Sequence, residues 1–290
     1  MAGPGLALEL GAARVRIRSD LQPLPAVLQR LYGAFPPGDP GGVFDATVRL
    51  RRLVEWRRLA RPRVGLIADG AMLFEPFPAR TFMPLLEWGL NYLLATRLNA
   101  HLLLHAGAVE IGGLGILLPA IPGSGKSTLT AALVSRGCRL LSDEFGVVRL
   151  ADGMLLPLLR PIGLKNESID VMARFARDAI IGPRYEETRK GTVAHMAPNA
   201  MAVGGRDRAA EPRLVVFPRF SANAELLVEP IAPTQAFSRL AFNAFNYQVL
   251  GPSAFDAVAS LVRRCTAYRI TYGDLETAVG VVSGLAAELA

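Results

Sequence analysis

The run GILLPAIPGSGKST at residues 115–128 limits what this 290-residue chain can fold into more than any other segment. An apolar stretch leads into a glycine-rich turn, and Lys-Ser-Thr opens a helical segment. The spacing predicts a strand, a loop and a helix in that order. Gly123 and Gly125 permit backbone angles and a close approach that side chains would block. Successive amides in such a loop can cradle phosphate oxygens, and the start of the helix adds partial positive charge. Lys126 is the side chain for β- and γ-phosphates, and the Ser127 hydroxyl is a ligand for Mg²⁺. The pattern therefore implies ATP and Mg²⁺, held by Pro122, Gly123, Ser124, Gly125, Lys126, Ser127 and Thr128. The usual pattern has a glycine six residues before the lysine; Ala120 stands there and predicts a modified loop.

Composition narrows the rest. The chain is 51% hydrophobic and 20% charged, which suits a folded domain with a sizeable core. Its formal charge is +7, yet only Lys126, Lys165 and Lys190 among the 32 basic residues are lysines. The arginines scatter, with the densest run at Arg49–Arg63, and are not interleaved with aromatics, so no nucleic-acid partner is expected. Cys138 and Cys265 stand far apart without a C-x-x-C partner, so neither a disulfide framework nor a cysteine-based zinc site is expected. No run of 18 apolar residues suggests a membrane span, and the N-terminus lacks a signal-peptide pattern. A cytoplasmic location is the expectation.

Along the chain, residues 6–18 and 43–54 read as short strands, with breaks at Pro23–Pro25 and Phe35–Gly42. Residues 63–77 read as a hairpin about Asp69-Gly70. A helix is expected over 82–99, then two strands joined through Gly112-Gly113, a helix from Lys126 to about Arg136, and strands RLLSDE and FGVVRL. Residues 165–178 look helical. The stretch 182–212 is polar and glycine-rich with few core candidates, and residues 187–196 within it read as a mobile basic loop. Strands LVVFP and ELLVEPI, helices 233–246 and 253–264, strand AYRITY and helix 274–289 complete the chain. Phe242, Phe245 and Tyr247 have helical spacing and read as core. A loose boundary near residue 80 separates a β-rich region, 1–80, packed on the remainder, from 81–290.

Asp143 and Glu144 follow Lys126 by 17 and 18 residues, at the end of RLLSDE. One carboxylate there suits Mg²⁺, and the other suits acceptance of a hydroxyl proton. Side chains of a regular strand alternate, so the two point apart unless the strand ends at them. His105, at the end of LLLHAG, can lie beside them if the intervening strands are neighbours.

These residues resemble the HPr kinase/phosphorylase family, and most closely its HPr kinase-related branch. The resemblance rests on His105 with Gly107, the GSGKST loop, RGCRLLSDE at 136–144 and the glutamate of GLKNES at 163–168. It is good over about residues 100–170 and weaker over 171–265. It implies an α/β fold class: a phosphate-loop core with a mixed sheet, like the HPr kinase C-terminal domain and phosphoenolpyruvate carboxykinase. The family pair is usually Asp-Asp. Carried over, Asp143 takes the metal-site role and Glu144 the proton acceptor, with His105 beside it; Glu167 matches a metal-site carboxylate and Arg213 a phosphate-facing arginine. The implied activity is ATP-dependent phosphoryl transfer to a hydroxyl, foremost a serine of a protein or peptide. Two other readings stand beside it: a small-metabolite hydroxyl as acceptor, or a nucleotide-binding switch without transfer. Homo-oligomers occur in the family, but the segments that build them find no match here.

Overall fold

Two dipeptides expected to turn the chain do so with left-handed backbone at both residues. Asp69 and Gly70 have φ of 50° and 81°, and Gly112 and Gly113 have 56° and 90°. That geometry matches the twist of the strands they join. The computed structural model describes residues 5–53, 62–121 and 123–289. Pro122 and residues 54–61 of the arginine-rich run lie outside the described residues.

Strands β1 (Leu6–Glu9) and β2 (Arg14–Ser19), helix α1 (Leu24–Tyr32), and strands β3 (Ala46–Leu53), β4 (Arg63–Ala68), β5 (Ala71–Met72) and β6 (Phe77–Pro78) form the first layer. The strands order β1-β2-β3-β4-β5, with β6 on β4. Helix α1 corrects the expected break at Pro23–Pro25. A proline lies in its first turn, where the missing amide costs no helical hydrogen bond. Helix α2 (Phe82–Arg97) lies on β3 and β4. Its close seat needs Gly89, where a Cβ would come within 1.9 Å of Leu66 Cδ2.

The main sheet begins with β7 (His101–Ile111) and β8 (Leu114–Pro119), an antiparallel pair. Helix α3 (Lys126–Ser135) follows, then β9 (Arg139–Ser142), β10 (Phe145–Arg149) and β11 (Leu155–Leu156). Both β9 and β10 pair with β7, β10 over His101–His105 and β9 over Ala108–Glu110. A small sheet, β12 (Ile162–Lys165), β13 (Tyr185–Thr188) and β14 (Gly191–Met196), carries α4 (Glu167–Phe175) between its first two strands. After α5 (Ala200–Gly204), strand β15 (Glu211–Phe220) returns parallel to β8. The chain ends with β16 (Leu227–Pro230), α6 (Pro233–Phe242), α7 (Tyr247–Leu250), α8 (Pro252–Arg264), β17 (Thr266–Tyr272) and α9 (Leu275–Ala287). The main sheet orders β11-β10-β7-β8-β15-β17-β16, an α/β arrangement with mixed strand directions.

The 182–212 stretch departs from the expectation of few core residues. Tyr185, Val193, Ala194, Met196, Ala202 and Val203 are buried there: Tyr185 opens β13, the last four residues of β14 are all buried, and α5 supplies the last two. One continuous core runs from Leu8 and Val15 through Leu86 and Leu90 to Leu118, Leu129 and Leu133 beneath the glycine-rich loop. A second, built on Leu104, Leu117, Val215, Leu240, Val258 and Leu261, fills the other face of the main sheet under α6 and α8. Among the described residues no helix is long and apolar enough to cross a membrane.

Candidate active site

The glycine-rich loop leaves the end of β8 and enters α3 through backbone that only glycine adopts readily. Gly123 and Gly125 both have φ of 88°. At Gly125 there is also no room, since a Cβ would lie 2.7 Å from Tyr272 Oη and 2.9 Å from Phe220 Cβ. The Phe220 amide donates to the Ser124 carbonyl at 2.9 Å, which ties the loop to the end of β15. Helix α3 starts on Gly125 with no side chain capping its first amides and no acidic residue in its first turn. Its amino end therefore presents donors and partial positive charge to the loop. Ser124 Oγ is buried there without a hydrogen-bond partner.

Lys126 is buried, with its ammonium donating to the backbone carbonyl of Asp143 and lying 3.7 Å from Asp143 Oδ1. The carboxylates sit where the strand breaks. β9 ends at Ser142 and β10 begins at Phe145, both on the same edge of β7, so Asp143 and Glu144 form the bend between them. The Ser142 hydroxyl closes that bend by accepting from the Phe145 amide at 3.2 Å. Freed from alternation, Asp143 and Glu144 both join the lysine's surroundings.

Their environments differ. Asp143 is 4% exposed; burial pushes its carboxyl up, aided by the neighbouring Glu144, and Lys126, the Ser127 hydroxyl and the Gly163 amide oppose this. The Gly163 amide donates to Oδ2 at 3.4 Å, while Oδ1 accepts no hydrogen bond. Glu144 is more open, and His105 Nε2 lies 3.4 Å from its Oε2. Burial raises the Glu144 carboxyl, but Lys126, His105 and Lys165 together outweigh burial and hold it well below the usual carboxylate range. Two adjacent carboxyls driven in opposite directions can take different roles. His105 is set by the sheet: it stands directly opposite Phe145 in the β7–β10 ladder, and its amide donates to the Asn243 carbonyl at 2.7 Å.

Arg213, expected to face phosphate, lies apart from this cluster. Arg213 is near the beginning of β15, beside Glu211 at 3.5 Å, whereas the loop adjoins the end of that strand. Because β15 runs parallel to β8, the exposed arginine at the loop end is Arg219. Glu167 opens α4 as an exposed residue, and among the described residues no three His, Cys, Asp or Glu side chains cluster to hold a metal. Asp143 and Ser127 remain as the pair that fits Mg²⁺, an ion often held by one or two protein ligands with phosphate oxygens and water. The buried Ser124 Oγ and Asp143 Oδ1, neither of them in a hydrogen bond, and the uncapped helix start fit an anionic ligand carrying such a cation.

Of the three aromatics expected in the core, Tyr247 packs against the second core, whereas Phe242 and Phe245 depart from that role. Phe242 is 86% exposed and Phe245 50%. With Ile121, Asn243, Ala244 and His105 they line a hollow of about 210 Å³ between the loop and Glu144's histidine. The short helix α6 ends at Phe242, so helical spacing does not continue to Phe245.

Sheet, loop and paired carboxylates define an α/β protein with a polar site at strand ends. Over one segment it is similar to named enzymes. It is 38% identical over 63 residues to an HPr kinase/phosphorylase of Clostridium botulinum, covering 22% of this chain and 21% of that protein. It is 44% identical over 55 residues to an HPr kinase/phosphorylase of Stenotrophomonas maltophilia, covering 19% and 17%. The match thus spans about a fifth of those relatives' length. No family model matches the chain.

Proposed function

We propose that this protein is a kinase of the HPr kinase/phosphorylase type, moving the γ-phosphoryl group of ATP to a hydroxyl, foremost a serine of a protein or peptide. The observation that carries the reading is the buried contact of Lys126 with Asp143 beside Glu144, at the mouth of a loop that only glycine can build. Partial relatives named HPr kinase/phosphorylase support a kinase-like function. In this reading residues 81–290 form the nucleotide-binding part, with residues 1–80 packed on it.

The loop amides, Lys126, Ser124 and Thr128 would hold the phosphates. Asp143 and Ser127 would hold Mg²⁺, which neutralises charge on the phosphate oxygens when bound. Glu144 stays ionised and accepts the proton of the attacking hydroxyl; His105 fixes its carboxylate. The hydroxyl oxygen bonds to the γ-phosphorus, and the bond to the bridging oxygen breaks, with its electron pair leaving on ADP. Positioning and electrostatics then supply most of the catalysis.

The test is a γ-labelled ATP transfer assay against native extract, followed by identification of the labelled species. Label is expected in macromolecules, and Lys126→Ala should abolish it. Label in small solutes alone would turn the assignment to a metabolite hydroxyl. ATP binding with no labelled product would leave a nucleotide switch.

A further inference from the structure

All three lysines of the chain converge on one carboxylate. Lys126 and Lys165 both act on Glu144; the Lys190 ammonium is pushed down first by burial, then by Lys165, with Glu144 opposing and Lys126 adding. The remaining 29 of the 32 basic residues are arginines. A compact ammonium approaches a small anion from any side, whereas a guanidinium imposes a planar fork.

The backbone explains the convergence. On β12, Ile162 and Leu164 face the core, so Gly163 and Lys165 face the other way. The Gly163 amide reaches the Asp143 carboxylate, which sets that strand against the site. A Cβ on Gly163 would meet nothing within 4 Å, so the strand beside Lys165 is open. Opposite Gly163 in the β12–β14 ladder stands His195, 4% exposed, with Nδ1 buried and unpartnered.

Lys190 comes from the β13–β14 turn, which is anchored rather than loose. Thr188 Oγ1 donates to the Gly191 carbonyl at 2.6 Å and accepts from the Lys190 amide at 3.1 Å. Asn166 Oδ1 accepts from the Thr192 amide at 3.1 Å, pinning the turn to the residue after Lys165. The Lys190 ammonium lies 5.5 Å from the Trp88 ring centre. Among the described residues neither Lys165 nor Lys190 has a carboxylate within ion-pair distance. Two like charges thus repel each other with only the shared Glu144 to offset them, and a further anion between them would be attracted.

We propose that Lys165 and Lys190 form a second anion subsite, which takes a carboxylate or phosphate group carried by the acceptor next to its reactive hydroxyl. This rests on the phosphoryl-transfer reading and narrows the acceptor to an acidic one.

The test uses the full chain loaded with Mg²⁺ and a non-hydrolysable ATP analogue. Two matched acceptor pairs are titrated by calorimetry: a serine peptide flanked by glutamates against its glutamine twin, and glycerol 3-phosphate against glycerol. In at least one pair the charged member is expected to bind about tenfold tighter. The responding pair identifies a protein or a small-molecule source. Lys165→Met and Lys190→Met should each erode that preference, and Lys190→Gln should match Lys190→Met. No difference within either pair, or a preference that survives in the double Lys165→Met/Lys190→Met variant, overturns the subsite. If the variants misfold, the charged-against-neutral comparison on the wild-type protein still decides. If the ATP analogue itself fails to bind, the phosphoryl-transfer reading falls, and the same titration without nucleotide judges the subsite separately.

Discussion

At the scale of single residues, position in a strand matters as much as residue type. Asp143 and Glu144 share a bend, and burial raises both, but Lys126, His105 and Lys165 together bring Glu144 down and so separate their protonation. Glu144→Gln keeps the shape of the side chain but removes the proton acceptor. It is expected to cut phosphoryl transfer by about 10²–10⁴-fold while nucleotide affinity, measured by calorimetry, is retained. Normal turnover in that variant would remove Glu144 from its role. His195 gives a second test. Burial pushes its pKa down to about 4, from an ordinary 6.5. The unfolded chain takes up that proton first, so the stability owed to a neutral imidazole is complete above pH 6.5 and is lost as pH falls toward 4. By pH 4.5 the loss is about 2–3 kcal/mol. Urea unfolding at pH 7 and 4.5 should show it, and His195→Phe should flatten the difference. The grouping of Lys126, Asp143, Glu144 and His105 was legible because Lys126 lies in the glycine-rich run and the other three lie in blocks that resemble the HPr kinase/phosphorylase family. The sequence did not make the lysine convergence legible, because that depends on the pairing of β12 with β14 and on a turn reaching back to Trp88.

At the scale of elements, legibility followed the local physics of the turns. Asp69-Gly70 and Gly112-Gly113 announced their hairpins because left-handed backbone selects those residues. The strand, loop and helix around Lys126 were equally plain. Helix α1 was hidden by prolines that read as breakers but sit where a helix accepts them. The β13–β14 hairpin was hidden by its largely exposed polar turn, from Glu186 to Gly191, which outweighs the buried end of β14 in the sequence pattern. Arg213 was misplaced because a sequence does not state which end of β15 meets the loop. The loop offers its own contrast between glycines. Gly125→Ala meets both a forbidden φ and the Tyr272–Phe220 wall, while a Cβ at Gly123 meets nothing within 4 Å. Gly123→Ala should cost about 1–2 kcal/mol of backbone strain. Gly125→Ala should cost more, seen as a larger fall in thermal midpoint and a greater loss of ATP affinity. Equal effects would show that the wall yields.

At the scale of the whole molecule, the first sheet and the main sheet share one apolar core, and a buried polar link crosses it. The Tyr32 hydroxyl donates to Glu87 Oε1 at 2.7 Å, and Arg160 Nη1 lies 3.5 Å from Glu87 Oε2. Arg160 also donates to Asn91 Oδ1. Glu87→Ala would strand the Arg160 charge in the interior, at a cost of about 3–5 kcal/mol in denaturant unfolding. A fragment of residues 81–290 should likewise expose Leu86, Leu90 and their neighbours, bind a hydrophobic dye and aggregate. The long strand β7 has a different kind of consequence. It holds β9 and β10 along one edge and leaves a two-residue gap, and its own His105 faces the first residue after that gap. Proton-transfer geometry is thereby encoded in a count of residues. Length changes at the open turn of Gly112-Gly113 leave that count intact, whereas one residue added or removed between Ser142 and Phe145 breaks it. Insertion scanning would therefore trace the site as a narrow forbidden zone, with permissive turns on either side.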